Sequence, residues 1–145
     1  MAVARKTDHD VITLMASAAR TTGGGAGDTI RLASMPRAMA FVLDVTAAAT
    51  DTGDVLDVWV RTNPDGTNAI NVYRFTQVKG DGGAKRYIGK ILADGSVTEF
   101  DGYTSSLGEH TGRNMLGDEW SAYYAITNTG LANASFTFSV TAIPM

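Results

Sequence analysis

The chain has no cysteine, which excludes a disulfide framework, cysteine-ligated zinc and thiol catalysis together. Basic clusters are missing as well. The 12 Lys and Arg residues are scattered, the longest runs being Arg5-Lys6 and Lys85-Arg86, against 15 acidic residues and a formal net charge of −3. Phosphate backbones are held by clustered cations, so nucleic acid is not expected as the partner. No run of about 18 apolar residues occurs, so no membrane-spanning helix is expected. The leading residues "MAVARKTDHD" lack the apolar core of a secretory signal. The expectation is a protein made in a cytoplasm that stays there or joins a larger assembly. Helix formers are thin too: Leu, Lys and Glu are scarce, whereas Gly (16 residues), Thr and Ala abound. That mixture fits short strands and many turns.

What is present is alternation with period two. "AMAFVLDVT" sends Met39, Phe41, Leu43 and Val45 to one side, with Ala40, Val42, Asp44 and Thr46 opposite. "DVLDVWVRT" sets Leu56, Val58 and Val60 against Val55, Asp57, Trp59 and Arg61. "INVYRFTQV" places Tyr73 and Phe75 opposite Val72, Arg74 and Thr76, and "EWSAYYAITN" separates Trp120, Ala122, Tyr124 and Ile126 from Ser121, Tyr123, Ala125 and Thr127. "ASFTFSVTA" is cleanest, with Phe136, Phe138 and Val140 on one face and hydroxyls on the other. Side chains alternate across a strand, so these are strands with one buried and one wet face. "VITLMAS", "DTIRLAS" and "KRYIGKIL" are weaker candidates. Turn-forming stretches such as "TTGGGAGD", "TNPDGTN", "KGDGG" and "TNTGLAN" punctuate the runs. No helical pattern intervenes, so the expected fold is all-β: an antiparallel two-sheet sandwich, jelly-roll-like, of about seven to nine strands.

At 145 residues a single domain is expected, divided into a polar N-terminal arm, residues 1–10, and a sandwich, residues 11–145. Residues 93–119, "ADGSVTEFDGYTSSLGEHTGRNMLGDE", are rich in glycine and lack sustained alternation. They are expected to form an ordered excursion from the sandwich, since long irregular segments in compact domains are usually functional or disordered.

Candidate chemistry is sparse. "GGGAGD" lacks the Lys-Ser/Thr that a phosphate loop needs and is read as a flexible hairpin connection. Asp51, Asp54, Asp57 and Asp81 offer hard oxygen ligands, but no stretch has the spacing of a calcium loop. His9 and His110 are about a hundred residues apart, and "YTSSLGEH" gathers Ser105, Ser106, Glu109 and His110 without an oriented base or an oxyanion hole. Glu99, Asp101, Glu109, Asp118 and Glu119 supply carboxylates of the kind glycosidases use in pairs. Trp59, Tyr73, Tyr87, Tyr103, Trp120 and Tyr123 could stack on sugars, although strand aromatics ordinarily pack. No enzyme activity, cofactor or metal is expected, and solvated turns and core packing account for these residues.

The segments "LMASAART", "LDVTAA", "LDVWVRTNPDG", "FTQV" and "SFTFSVT" occur in this order. They resemble a group of small β-sandwich virion proteins of tailed bacteriophages. The resemblance covers about two-thirds of the chain, and its short motifs consist of common strand and turn residues. It implies a non-enzymatic structural protein of the phage particle, foremost a capsid decoration (cement) protein on the capsid surface, made in the host cytoplasm. The alternatives are a neck or tail component and, further off, a carbohydrate-binding module. The implied partner is the major capsid protein or another virion protein, with homo-oligomers at lattice symmetry points, threefold ones among them. The arm and the excursion are the expected contact elements, with Arg5, Lys6, Phe100, Tyr103, His110 and Arg113 as candidate interaction residues.

Overall fold

The computed structural model describes residues 10–21, 23–48, 51–64, 66–93, 107–109, 111–128 and 134–145. Among these residues there are eleven strands and no helix. They are β1 (Ile12–Arg20), β2 (Gly23–Ala26), β3 (Ile30–Arg31), β4 (Ala38–Ala47), β5 (Val55–Asn63), β6 (Ile70–Arg74), β7 (Val78–Lys79), β8 (Lys85–Leu92), β9 (Thr111–Gly112), β10 (Glu119–Thr127) and β11 (Phe136–Pro144). The count exceeds the seven to nine expected because β3, β7 and β9 are strands of only two residues. The long strands alone fall within that range.

One sheet has the order β1-β11-β4-β8, and the other runs β2-β10-β5-β6-β9 with β3 beside β10 and β7 beside β5. Every pairing between these strands is antiparallel. Followed along the chain, the long strands pass from one sheet to the other at each step, except that β5 and β6 form a hairpin within one sheet. The first and last strands lie side by side. That path is the jelly-roll order, in which two Greek keys interleave across a double sheet.

The core lies between the sheets, and the alternating residues build it. Met39, Phe41, Leu43 and Val45 of β4, Leu56, Val58 and Val60 of β5, and Phe136, Phe138 and Val140 of β11 are all buried. A fully buried side chain of this kind contributes about 1.5–3 kcal/mol relative to exposure. Aromatic contacts tie the layers together. Phe41 of the first sheet lies 5.7 Å from both Trp120 and Tyr73 of the second, and Tyr124 meets Phe138 edge-on at 5.6 Å. Trp120 is buried, and its indole N–H donates to the Gly117 carbonyl at 2.9 Å, which meets its one polar requirement. Arg20, at the end of β1, spreads over the Phe138 ring with its guanidinium carbon 4.6 Å from the centroid. It donates to the carbonyls of Ala16, Ala18 and Phe138.

Two local readings change. Val72 was placed on the face opposite Tyr73, yet both belong to the core side, Val72 fully buried and Tyr73 partly so. The pairing jumps from Val60↔Tyr73 to Arg61↔Asn71, so Val72 is the extra residue of a β-bulge and simple alternation fails there. The second change concerns "GGGAGD", read as a flexible connection. Its residues Gly23–Ala26 form β2 and pair with Tyr123–Ile126 of β10. Glycine weakens a strand through its entropy, and here neighbouring aromatic rings compensate. A Cβ on Gly24 would sit 2.8 Å from the Tyr123 hydroxyl, and one on Gly25 would lie 3.2 Å from the Tyr124 ring. Two tyrosines of β10 thus lie across the bare backbone of β2, a contact known to rescue edge glycines.

Candidate functional site

The outer face of the second sheet carries a row of aromatic and cationic side chains. Asp57, Trp59 and Arg61 project from β5 on the side opposite Leu56, Val58 and Val60, as the period requires. Register aligns them with their neighbours. Tyr123 of β10 lies opposite Trp59, Trp59 opposite Arg74 of β6, and Arg61 between Ser121 and Asn71. Directly opposed residues approach within about 5 Å at Cβ, close enough for long side chains to stack.

They do stack. The Trp59 and Tyr123 rings have centroids 6.0 Å apart. Arg61 covers Tyr123 at 4.3 Å, and Arg74 stands 5.5 Å from the Trp59 ring. The order across the sheet is therefore Arg61, Tyr123, Trp59, Arg74, with a cation at each end. Such contacts are worth about 0.5–1 kcal/mol when exposed and more when desolvated.

The two arginines differ in their partners. Arg74 donates to Asp57 at 2.7 Å, with both side chains largely buried, and its other terminal nitrogen donates to the Leu107 carbonyl at 2.9 Å. Gln77 completes this cluster. Its amide donates to both Asp57 oxygens at 3.1 Å, and its backbone N–H donates to the Glu109 carboxylate at 2.6 Å. Residues Leu107 and Glu109 are thereby fastened to the sheet. Among the described residues Arg61 meets no carboxylate. Its Nε donates to Asn71 Oδ1 at 2.8 Å, and among the described residues its two terminal nitrogens meet no acceptor. Burial lowers its pKa from the ordinary value, an effect that Tyr123 opposes. The guanidinium stays charged in either case.

No family model, curated protein or solved structure matches the chain. The residues themselves must therefore carry the functional reading.

Of the candidate interaction residues, Arg113 is described and Arg5, Lys6, Phe100, Tyr103 and His110 lie outside the described residues. Arg113 is half-buried. Its backbone N–H donates to the Val72 carbonyl at 2.7 Å and its Nη1 to the Asn71 carbonyl at 3.1 Å. It thus secures the end of the 93–119 segment against the bulge in β6. The arm residues 1–9 and most of that segment likewise lie outside the described residues, as do Ser105, Ser106 and Glu99.

Three of the four carboxylates considered as metal ligands have other engagements. Asp57 pairs with Arg74, buried Asp54 accepts from the Asp51 N–H at 3.3 Å, and Asp81 accepts from the Thr52 hydroxyl at 3.1 Å. Among the described residues no group of three metal-ligating side chains converges. Of the aromatics considered for sugar stacking, Trp120 and Tyr73 belong to the core, while Trp59 and Tyr123 face outward beneath the arginines. Sequence alternation had already put Asp57, Trp59 and Arg61 on one face. Their meeting with Tyr123 and Arg74 depends on inter-strand register, which no local pattern reveals.

Proposed function

We propose that the chain is a non-enzymatic structural protein of a tailed-bacteriophage particle, in the first place a capsid decoration protein that binds the assembled head lattice and stabilises it. The observation that carries this reading is the jelly-roll path of the strands, an architecture common among viral capsid domains and found in lectins and cupins too. Since fold alone does not fix function, the motif resemblance supplies the second support. The motifs fall on structurally contiguous strands: "ASAAR" within β1, "SFTFSVT" along β11 and "LDVTAA" along β4 are neighbours in one sheet, and "LDVWV" lies within β5. The residues that carry the resemblance therefore belong to the scaffold of the two sheets.

Physically, a protein that binds only the assembled lattice shifts the equilibrium toward the intact shell by its binding free energy. Removing this chain from particles is expected to lower their tolerance of heat and osmotic shock, and adding it back to restore it. Unchanged tolerance, together with no lattice occupancy in images of the particle, would refute the reading. Quantifying copies per particle separates the head lattice from a neck or tail position, because a lattice protein follows the number of capsomers and a neck or tip ring holds only a handful.

A further inference from the structure

We propose that Arg61 is the anchor of a protein-docking surface on the outer face of the second sheet, where its guanidinium takes a carboxylate from an acidic segment of a partner protein. The inference rests on the reading of the chain as an assembly protein and names the chemistry of the contact. Arg31 pairs with Glu119, Arg74 with Asp57 and Arg86 with Asp44, and the terminal nitrogens of Arg20 are taken up by backbone carbonyls, whereas among the described residues the half-buried Arg61 is held by Asn71 and the Tyr123 ring alone.

Its geometry is set in advance. One nitrogen is tied to Asn71, itself buried within the sheet, and the guanidinium lies over Tyr123. Tyr123 in turn is braced by Trp59 on one side and by the glycine backbone of β2 on the other. A fixed guanidinium offers its remaining nitrogens as a fork matched to a carboxylate, and loses little conformational freedom on binding. The side chain is already half desolvated. An incoming carboxylate therefore finds a cation weakly compensated by its own protein.

The surroundings favour protein over sugar. Sugar stacking needs an open ring face, and here Arg61 covers Tyr123 while Arg74 stands over Trp59. Trp, Tyr and Arg are the residue types that dominate binding energy at protein interfaces. Ser121 beside Arg61 and Ala125 beside Asp57 are small, so a partner backbone can approach closely.

The test uses the full chain and three probes: an oligoglutamate peptide, an oligoglutamine peptide of equal length, and an oligogalacturonate, each titrated by calorimetry with NMR mapping. Oligoglutamate is expected to bind, to weaken with salt, and to perturb the Trp59 indole and Tyr123 ring signals, while oligoglutamine does not. Arg61→Gln is expected to lower the affinity about tenfold or more. Arg61→Lys, which keeps the charge and loses the fork, should lose most of it too. Arg86→Gln on the other sheet should change it less than about twofold. Thermal melts of the variants confirm that they fold. The proposal is overturned if oligoglutamate does not bind, if Arg61→Gln and Arg86→Gln behave alike, or if oligogalacturonate binds as well as the peptide. Loss of the decoration reading on particles, with Arg61-dependent peptide binding intact, would leave this surface standing with another acidic partner. The reverse result would leave decoration standing with a different contact surface.

Discussion

Tyr73 occupies a slot between the sheets, its ring against Phe41 and Phe75 and over Gly89 of β8. A Cβ on Gly89 would overlap that ring, and one on Gly112 would come within 3.0 Å of it, so glycine at both positions makes room for the tyrosine. Burial raises the pKa of the Tyr73 hydroxyl above its ordinary value. The unfolded chain therefore loses this proton first as pH rises. Tyr73 accordingly contributes stability that is fully present below about pH 10, the unfolded value, and is lost as pH climbs through and beyond it. Melting temperature measured from about pH 9 upward is expected to fall more steeply for the wild type than for Tyr73→Phe. Parallel curves would show that the hydroxyl does not titrate in a desolvated site. At this scale the sequence was partly legible. Period alone puts Tyr73 and Phe75 on one face, and both pack into the core, but it sets Val72 on the other face, because a bulge leaves no mark in the local pattern.

Whole strands were easier to read than single residues, provided that their side chains carry the signal. β4 and β11 announce themselves because a one-residue slip would expose Phe41 or Phe138, and burial on one face enforces the register. β2 does not, since a strand of glycine has no side chains to alternate and is stabilised by Tyr123 and Tyr124 from a partner distant in sequence. The candidate docking face divides in the same way. Its β5 members were legible as one face, while the contributions of β6 and β10 depended on which strand lies beside which. Element energetics can be checked at β11, the strand between β1 and β4. Phe138 is fully buried there, meets Tyr124 edge-on and lies beneath Arg20. Phe138→Ala is expected to cost about 3–5 kcal/mol in denaturant unfolding. A loss under about 1 kcal/mol would mean that the site collapses around the cavity and that β11 is not central to the core.

For the whole molecule, the jelly roll separates a self-sufficient interior from exteriors that can vary without disturbing it. The outer face of the first sheet illustrates this freedom. Ile88 stands 70% exposed opposite Val42, flanked by the Arg86–Asp44 pair and Lys90, and charges along an edge strand such as β8 discourage edge-to-edge pairing. Assembly contacts and fold stability should therefore be separable by truncation. β1 begins at Ile12, which pairs with Ala142 and is buried, so the pairing of the first and last strands is built from residues beyond the arm. Deleting residues 1–9 is expected to leave the melting temperature of the isolated chain within a few degrees of wild type, since about 1 kcal/mol shifts a domain of this size by roughly 2–8 °C. Under the proposed decoration role, the same deletion is expected to weaken retention on particles, measured as the chain released on washing at moderate salt, because Arg5 and Lys6 are lost with it. Combined with Arg61→Gln, the truncation separates two contact modes. Independent contacts would add in free energy, as sites without shared partners do. Retention no worse in the double variant than in Arg61→Gln alone would mean that the arm contributes nothing at the lattice. A collapse of the isolated truncated chain would instead make the arm part of the fold.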